Sequence, residues 1–179
     1  MSIRVLVAGI GNIFFRDDGF GPAVAAAMLS AGDAQSLPDG VRIVDYGIRG
    51  MHLTYDLLER VDALVLIDAV PGDPADGARV PGTITVLQVG PHDLGEAEFD
   101  AHGMQPVSVL ASIGSMGGEL PPTYIVGCAA ADVSEGMGLS EAVAAAVDPA
   151  VDVVTDLVRG LVSDMVGATP AGDYYGVGD

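Results

Sequence analysis

The run Ala63 to Ala69, ALVLIDA, constrains the chain more than any other stretch, with five consecutive apolar residues followed by an aspartate. A strand with one wet face alternates apolar and polar side chains, whereas a strand covered on both faces is apolar throughout. Such a strand requires layers above and below it. Short β-branched runs at Ile3 to Ala8, Val41 to Asp45, Thr83 to Val89 and Thr123 to Cys128, each bounded by Gly, Pro or Asp, supply its neighbours. Between them the spacing predicts helices over Phe20 to Leu29, Met51 to Arg60, about Met104 to Ile113, and Leu139 to Ser163. The alternation predicts an α/β fold: a single domain with a five-stranded, mostly parallel twisted sheet and helices on both faces. A turn-rich link, PGDPADGARVPG, precedes the fourth strand and predicts that it lies at an edge or runs antiparallel.

The chain of 179 residues is long enough for one core without disulfides. The expected domain covers residues 1–166, and GATPAGDYYGVGD, Gly167 to Asp179, loses periodicity and reads as a flexible tail. Acidic side chains outnumber basic ones 25 to 7, every basic one is Arg, and the net charge is −18. That charge repels nucleic acid and anionic lipid and favours cationic or basic partners. The single Cys128 excludes an internal disulfide and reads as a buried thiol in YIVGCAAA. No stretch approaches the roughly 20 apolar residues of a membrane span, and the N-terminal run reads as a strand rather than a leader. The expected setting is the cytoplasm, with no membrane and no nucleic acid as partners.

In an open α/β sheet, ligands collect outside the carboxyl ends of the strands. Polar residues just after apolar runs are therefore the candidates: Asp17 and Asp18 after the first, Asp45 after the second, Asp68 after the third, and His102 after the fourth. Of two adjacent acids at a helix start, one suits backbone N–H bonds and the other is left for a ligand, and the residues alone do not say which. Asp68 follows LVLI, where an unpaired carboxylate is costly unless a partner, metal or ligand compensates it, or a turn uses it. His52 and His92 read as structural or exposed, and His102 alone is undecided. Two carboxylates and one imidazole together form a mixed oxygen and nitrogen set suited to a divalent transition metal such as nickel or zinc.

GIGNIFFRDDGFG, LVLIDAV, DAHGMQPVSVL and VGCAAADVSEGMGLSEAV occur in an order that resembles the nickel-iron hydrogenase maturation endopeptidases. The resemblance implies a cytoplasmic, aspartic-type peptidase that removes a C-terminal extension from a hydrogenase large-subunit precursor after nickel insertion. It further implies that Asp18, Asp68 and His102 form the catalytic and metal-binding site. The nickel would be carried by the substrate, so no permanent cofactor is needed, and other divalent metals also fit the set. Two departures stand out: DYGIRG replaces the family's DGGTxG, and GCAAAD lacks a proline usual after the fifth strand. Hydrolysis would use a metal to polarise the carbonyl or activate water, with a carboxylate as orienting group or base. Asn12 is read as a turn former or a hydrogen-bond donor near the acids.

Two other classes compete. A phosphate- or nucleotide-binding module shares the strand, GIG and helix, but two aspartates face its anion site, and Arg16 is the one local argument in its favour. A receiver-like signalling domain requires a lysine, which this chain lacks.

Overall fold

The computed structural model describes residues 3–30, 37–70, 80–90, 110, 112–114 and 116–167. Five strands, β1 (Val5–Ile10), β2 (Val41–Gly47), β3 (Ala63–Val70), β4 (Ile84–Val89) and β5 (Thr123–Ala129), form one sheet in the order β2-β1-β3-β5-β4. All pairings are parallel except β4 with β5, which is antiparallel and places β4 at an edge. Both expectations for the fourth strand hold.

The apolar run of β3 has the predicted cause. Ala63, Val65 and Ile67 face one core cluster with Val5, Val7, Phe20, Val24 and Val158. Leu64 and Leu66 face a second cluster with Leu6, Ala8, Leu53, Leu57 and Ile113. Helices α1 (Phe20–Ser30) and α4 (Val147–Gly167) cover the first face, and α2 (Gly50–Leu58) covers the second. The helical residues 110 and 112–114 join α2 there, where the hydroxyls of Thr54 and Ser112 meet at 3.1 Å.

The expected helix from Leu139 to Ser163 is two helices, α3 (Glu141–Ala144) and α4. Pro149 explains the break, because proline has no N–H to give the carbonyl four residues back and its ring crowds that carbonyl. In the first turn of α4 neither defect matters. Helix α4 continues through Gly167, four residues past the expected end, and residues 168–179 of the expected tail lie outside the described residues. No helix among the described residues is long and apolar enough to cross a membrane.

The start of α1 sits unusually close to the sheet. A Cβ on Gly21 would come within 2.2 Å of the carbonyl oxygens of both Ile10 and Ile67. Only glycine permits this approach. It sets the link between β1 and α1 against the carboxyl ends of β1 and β3.

Candidate active site

Strand β1 ends at Ile10, and the chain reverses at Gly11, whose φ of 132° is open to glycine. A Cβ there would also meet the Asp18 carbonyl oxygen at 1.8 Å. Asn12 follows, and its side-chain oxygen accepts the Phe14 N–H at 3.0 Å, a local turn that gives Asn12 the turn-forming role. A single 3-10 turn, Arg16–Gly19, then leads into α1.

The two adjacent acids on that turn have separate tasks. Asp17 is fully buried. Its Oδ2 accepts N–H bonds from Ala131 at 2.8 Å and Asp132 at 2.9 Å and the Ser140 hydroxyl at 2.9 Å, while Oδ1 accepts the Ser140 N–H at 2.6 Å. Burial alone would raise its pKa, but the donors of Ser140, Asp132 and Ala131 outweigh burial and hold the carboxyl below its ordinary range. The expected helix-start role is thus replaced by a clamp on the loop after β5. Ser140, the residue before α3, gives its hydroxyl to Asp17 and makes no side-chain cap to its own helix.

Asp18 is left for the mouth. It is partly exposed, and its Oδ2 accepts the Asn12 N–H at 2.7 Å. Asp68 approaches from β3. The strand continues two residues past it to Val70, and Asp68 pairs in register with Gly127 of β5, so it lies within the strand rather than at its end or in a turn. The β1 ladder reaches only Ile67, so Asp68 stands just beyond it. Burial first, and then the Asp18 charge, push the Asp68 carboxyl up to about 8. The two carboxylates therefore share one field at the carboxyl edge of the sheet.

The remaining candidates are placed as follows. Asp45 lies inside β2, two residues before its end, and is exposed. His52 is exposed on α2, and His92 and His102 lie outside the described residues. Among the described residues no group of three or more His, Cys, Asp or Glu is arranged to hold a metal ion. Of the expected set of three, Asp18 and Asp68 are described, and the charge of Asp18 acts on Asp68. Cys128 is buried, and burial followed by the Asp17 charge pushes its thiol up to about 11, the opposite of an activated nucleophile. The phosphate-binding alternative loses one donor of the loop, because the Asn12 N–H is taken by Asp18.

Sequence reasoning weighed Arg16 only as an argument for phosphate binding and missed Ser140. Arg16 is the one non-glycine residue with positive φ among the described residues and pairs with Asp132 at 3.2 Å. Backbone bonds from Arg16 N to Gly136 O at 3.0 Å, Gly136 N to Phe14 O at 2.8 Å and Asp17 N to Asp132 O at 3.1 Å zip the two loops together. Ile13, Phe14, Val133 and Met137 stand exposed on the zipped loops.

Residues 30–157 match the family model described as hydrogenase maturation protease. The chain is 32% identical over 144 residues to the hydrogenase expression/formation protein HupD of Rhodobacter capsulatus, a match spanning 79% of this chain but 64% of that protein, under two thirds of its length. It is 33% identical over 107 residues to the hydrogenase 2 maturation protease of Escherichia coli, covering 54% of this chain and 60% of that one. Among solved structures, the hydrogenase maturating endopeptidase HybD of Escherichia coli superposes with a TM-score of 0.68 at 27% identity, over 89% of this chain and 94% of that one. The hydrogenase 2 maturation peptidase of a Thaumarchaeota archaeon gives 0.62 at 31%, over 87% and 97%.

Proposed function

The chain belongs to the hydrogenase maturation protease family, and on that footing we propose that it is an endopeptidase acting on a nickel-iron hydrogenase large-subunit precursor. It removes the precursor's C-terminal extension in the cytoplasm once nickel has been inserted. The observation that carries the reading is the buried Asp68 carboxyl just beyond the end of β1, on which the charge of Asp18 acts.

Burial and the Asp18 charge hold the proton on Asp68, and a cation, which the nickel held by the precursor would supply, favours its release. Asp18 and Asp68 would meet that cation, with His102 as the third donor. Positive charge beside a peptide bond polarises its carbonyl. The chain's own part is to orient that bond, and either carboxylate is suited to position a water or accept its proton. Recognition of the metal and timing of the cut then become one event, because without nickel Asp68 keeps its proton and the second anionic donor is missing.

The test is the intact mass of the precursor before and after incubation, with and without nickel, using wild type and Asp68→Asn. Loss of a C-terminal peptide only with nickel and only with wild type is the expected result. No mass change in a nickel-loaded precursor would refute the function, and full-rate cleavage by Asp68→Asn would remove that residue from it.

A further inference from the structure

Arg16 combines three observations that the proposed reaction does not use. Its φ is 45°, a conformation that costs a residue with a β-carbon and that persists only where the surroundings impose it. Its guanidinium lies against Gly136, so closely that a Cβ there would stand 3.0 Å from Nε, and that Nε pairs with Asp132. Nη2 also lies against Gly136, 3.3 Å from where that Cβ would stand, and neither Nη makes a hydrogen bond among the described residues. Beside the guanidinium is an open groove of about 310 Å³ walled by Ile13, Pro22, Ala26 and Leu139, and among the described residues its charged lining groups are Arg16 and Asp45. Ile13 belongs to the loop that carries Asp18, and Gly19, which also lines the groove, is the next residue after Asp18.

We propose that this groove receives an extended segment of the precursor next to the bond to be cut, an inference that rests on the function given above. An apolar side chain of that segment lies among Ile13, Pro22, Ala26 and Leu139, and an acidic side chain pairs with the Arg16 fork. Charge complementarity sets the acid. With 25 acidic and 7 basic side chains, the surface at large repels a carboxylate, and among the described residues Arg16 is the one cation lining this groove. A guanidinium fork and a carboxylate match in a bidentate pair, so Arg16 would fix the register in which the segment crosses toward Asp18. Its anchoring by Asp132 and Gly136 holds the fork ready before the precursor arrives.

The experiment measures Kd and steady-state kinetics of the nickel-loaded precursor with wild type, Arg16→Gly, Arg16→Lys and Arg16→Glu. Arg16→Gly removes the cation while relaxing the backbone, so the fold is kept, and urea unfolding checks this. The expected result is a Kd and KM about threefold to fivefold higher for Arg16→Gly, a smaller rise for Arg16→Lys and a larger one for Arg16→Glu, with the loss falling on KM rather than kcat. Exchanging the precursor's acidic residue for Lys should restore binding to Arg16→Glu and weaken it to wild type. Equal Kd values for wild type and Arg16→Gly overturn the proposal whether or not cleavage occurs. Binding that depends on Arg16 but leads to no cleavage supports the groove and refutes the endopeptidase function, and no binding by wild type overturns both.

Discussion

Replacing Asp17 by asparagine keeps the shape of the side chain and exchanges one carboxylate oxygen for an amide group. Three donors converge on Oδ2 and one on Oδ1, so the amide oxygen best takes the Oδ2 place and the NH2 then faces the Ser140 N–H. Hydrogen bonds to a charged acceptor exceed neutral ones by about 1 kcal/mol each, so the three bonds at Oδ2 together lose about 3 kcal/mol. The Ser140 N–H, left facing another donor, adds about 1–3 kcal/mol. Freedom from burying a charge offsets about 2 kcal/mol of this. The net is a loss of about 3 kcal/mol, a large share of the roughly 5–15 kcal/mol that holds a domain together. With a urea m-value of about 2 kcal/mol/M, the unfolding midpoint should fall by about 1.5 M. A second signature is the acid limb. Because the folded Asp17 pKa lies below the unfolded 3.8, its stabilisation is complete above about pH 4 and is lost as pH falls through the folded value. The asparagine variant should lack that part of the acid loss. A midpoint change under about 0.3 M at pH 7, with an unaltered acid limb, would refute the assignment of Asp17 as a charged clamp.

Asp68 predicts the opposite slope. Its folded pKa of about 8 lies above the unfolded 3.8, so ionisation opposes folding, and stability falls as pH rises from about 4 to about 8. Asp68→Asn in metal-free protein should therefore stabilise the fold, on the order of 3 kcal/mol at pH 8 after allowance for solvent at the open mouth and much less at pH 4, in paired urea titrations. A destabilised variant at pH 8 would count against the shared field. Two glycines should respond in contrary ways: Gly21→Ala, which meets two carbonyl oxygens, should abolish soluble expression, while Gly160→Ala, with open space on α4, should add about 0.5–1 kcal/mol to thermal stability.

Much of the architecture is written in local pattern. The unbroken apolar run of β3 announced burial on both faces, and odd and even residues do feed two different clusters. The link before β4 announced an edge, because turns and prolines separate it from its neighbour. The strand order was not legible, since β2 pairing with β1 and β5 lying between β3 and β4 depend on contacts remote in sequence. The same limit applied at the site. Asp17 and Asp18 are indistinguishable by neighbours, and what separates them are donors 114 to 123 residues away. Asp68 was legible as a costly carboxylate but not as a residue inside its strand, because nothing local says that β3 outruns β1. Pro149 was visible in the sequence and did mark a helix start, a signal that the long apolar periodicity around it obscured.

The clamp at Asp17 also bears on any attempt to exchange substrate preference between relatives by loop grafting. The segment 131–140 supplies every donor that Asp17 uses, and the segment 14–17 supplies the backbone partners of residues 132 and 136. Transplanting either segment alone would strand a buried carboxylate or a row of amides in the recipient. The two loops constitute one exchangeable module, and a chimera that respects it must move both together with the serine that closes it.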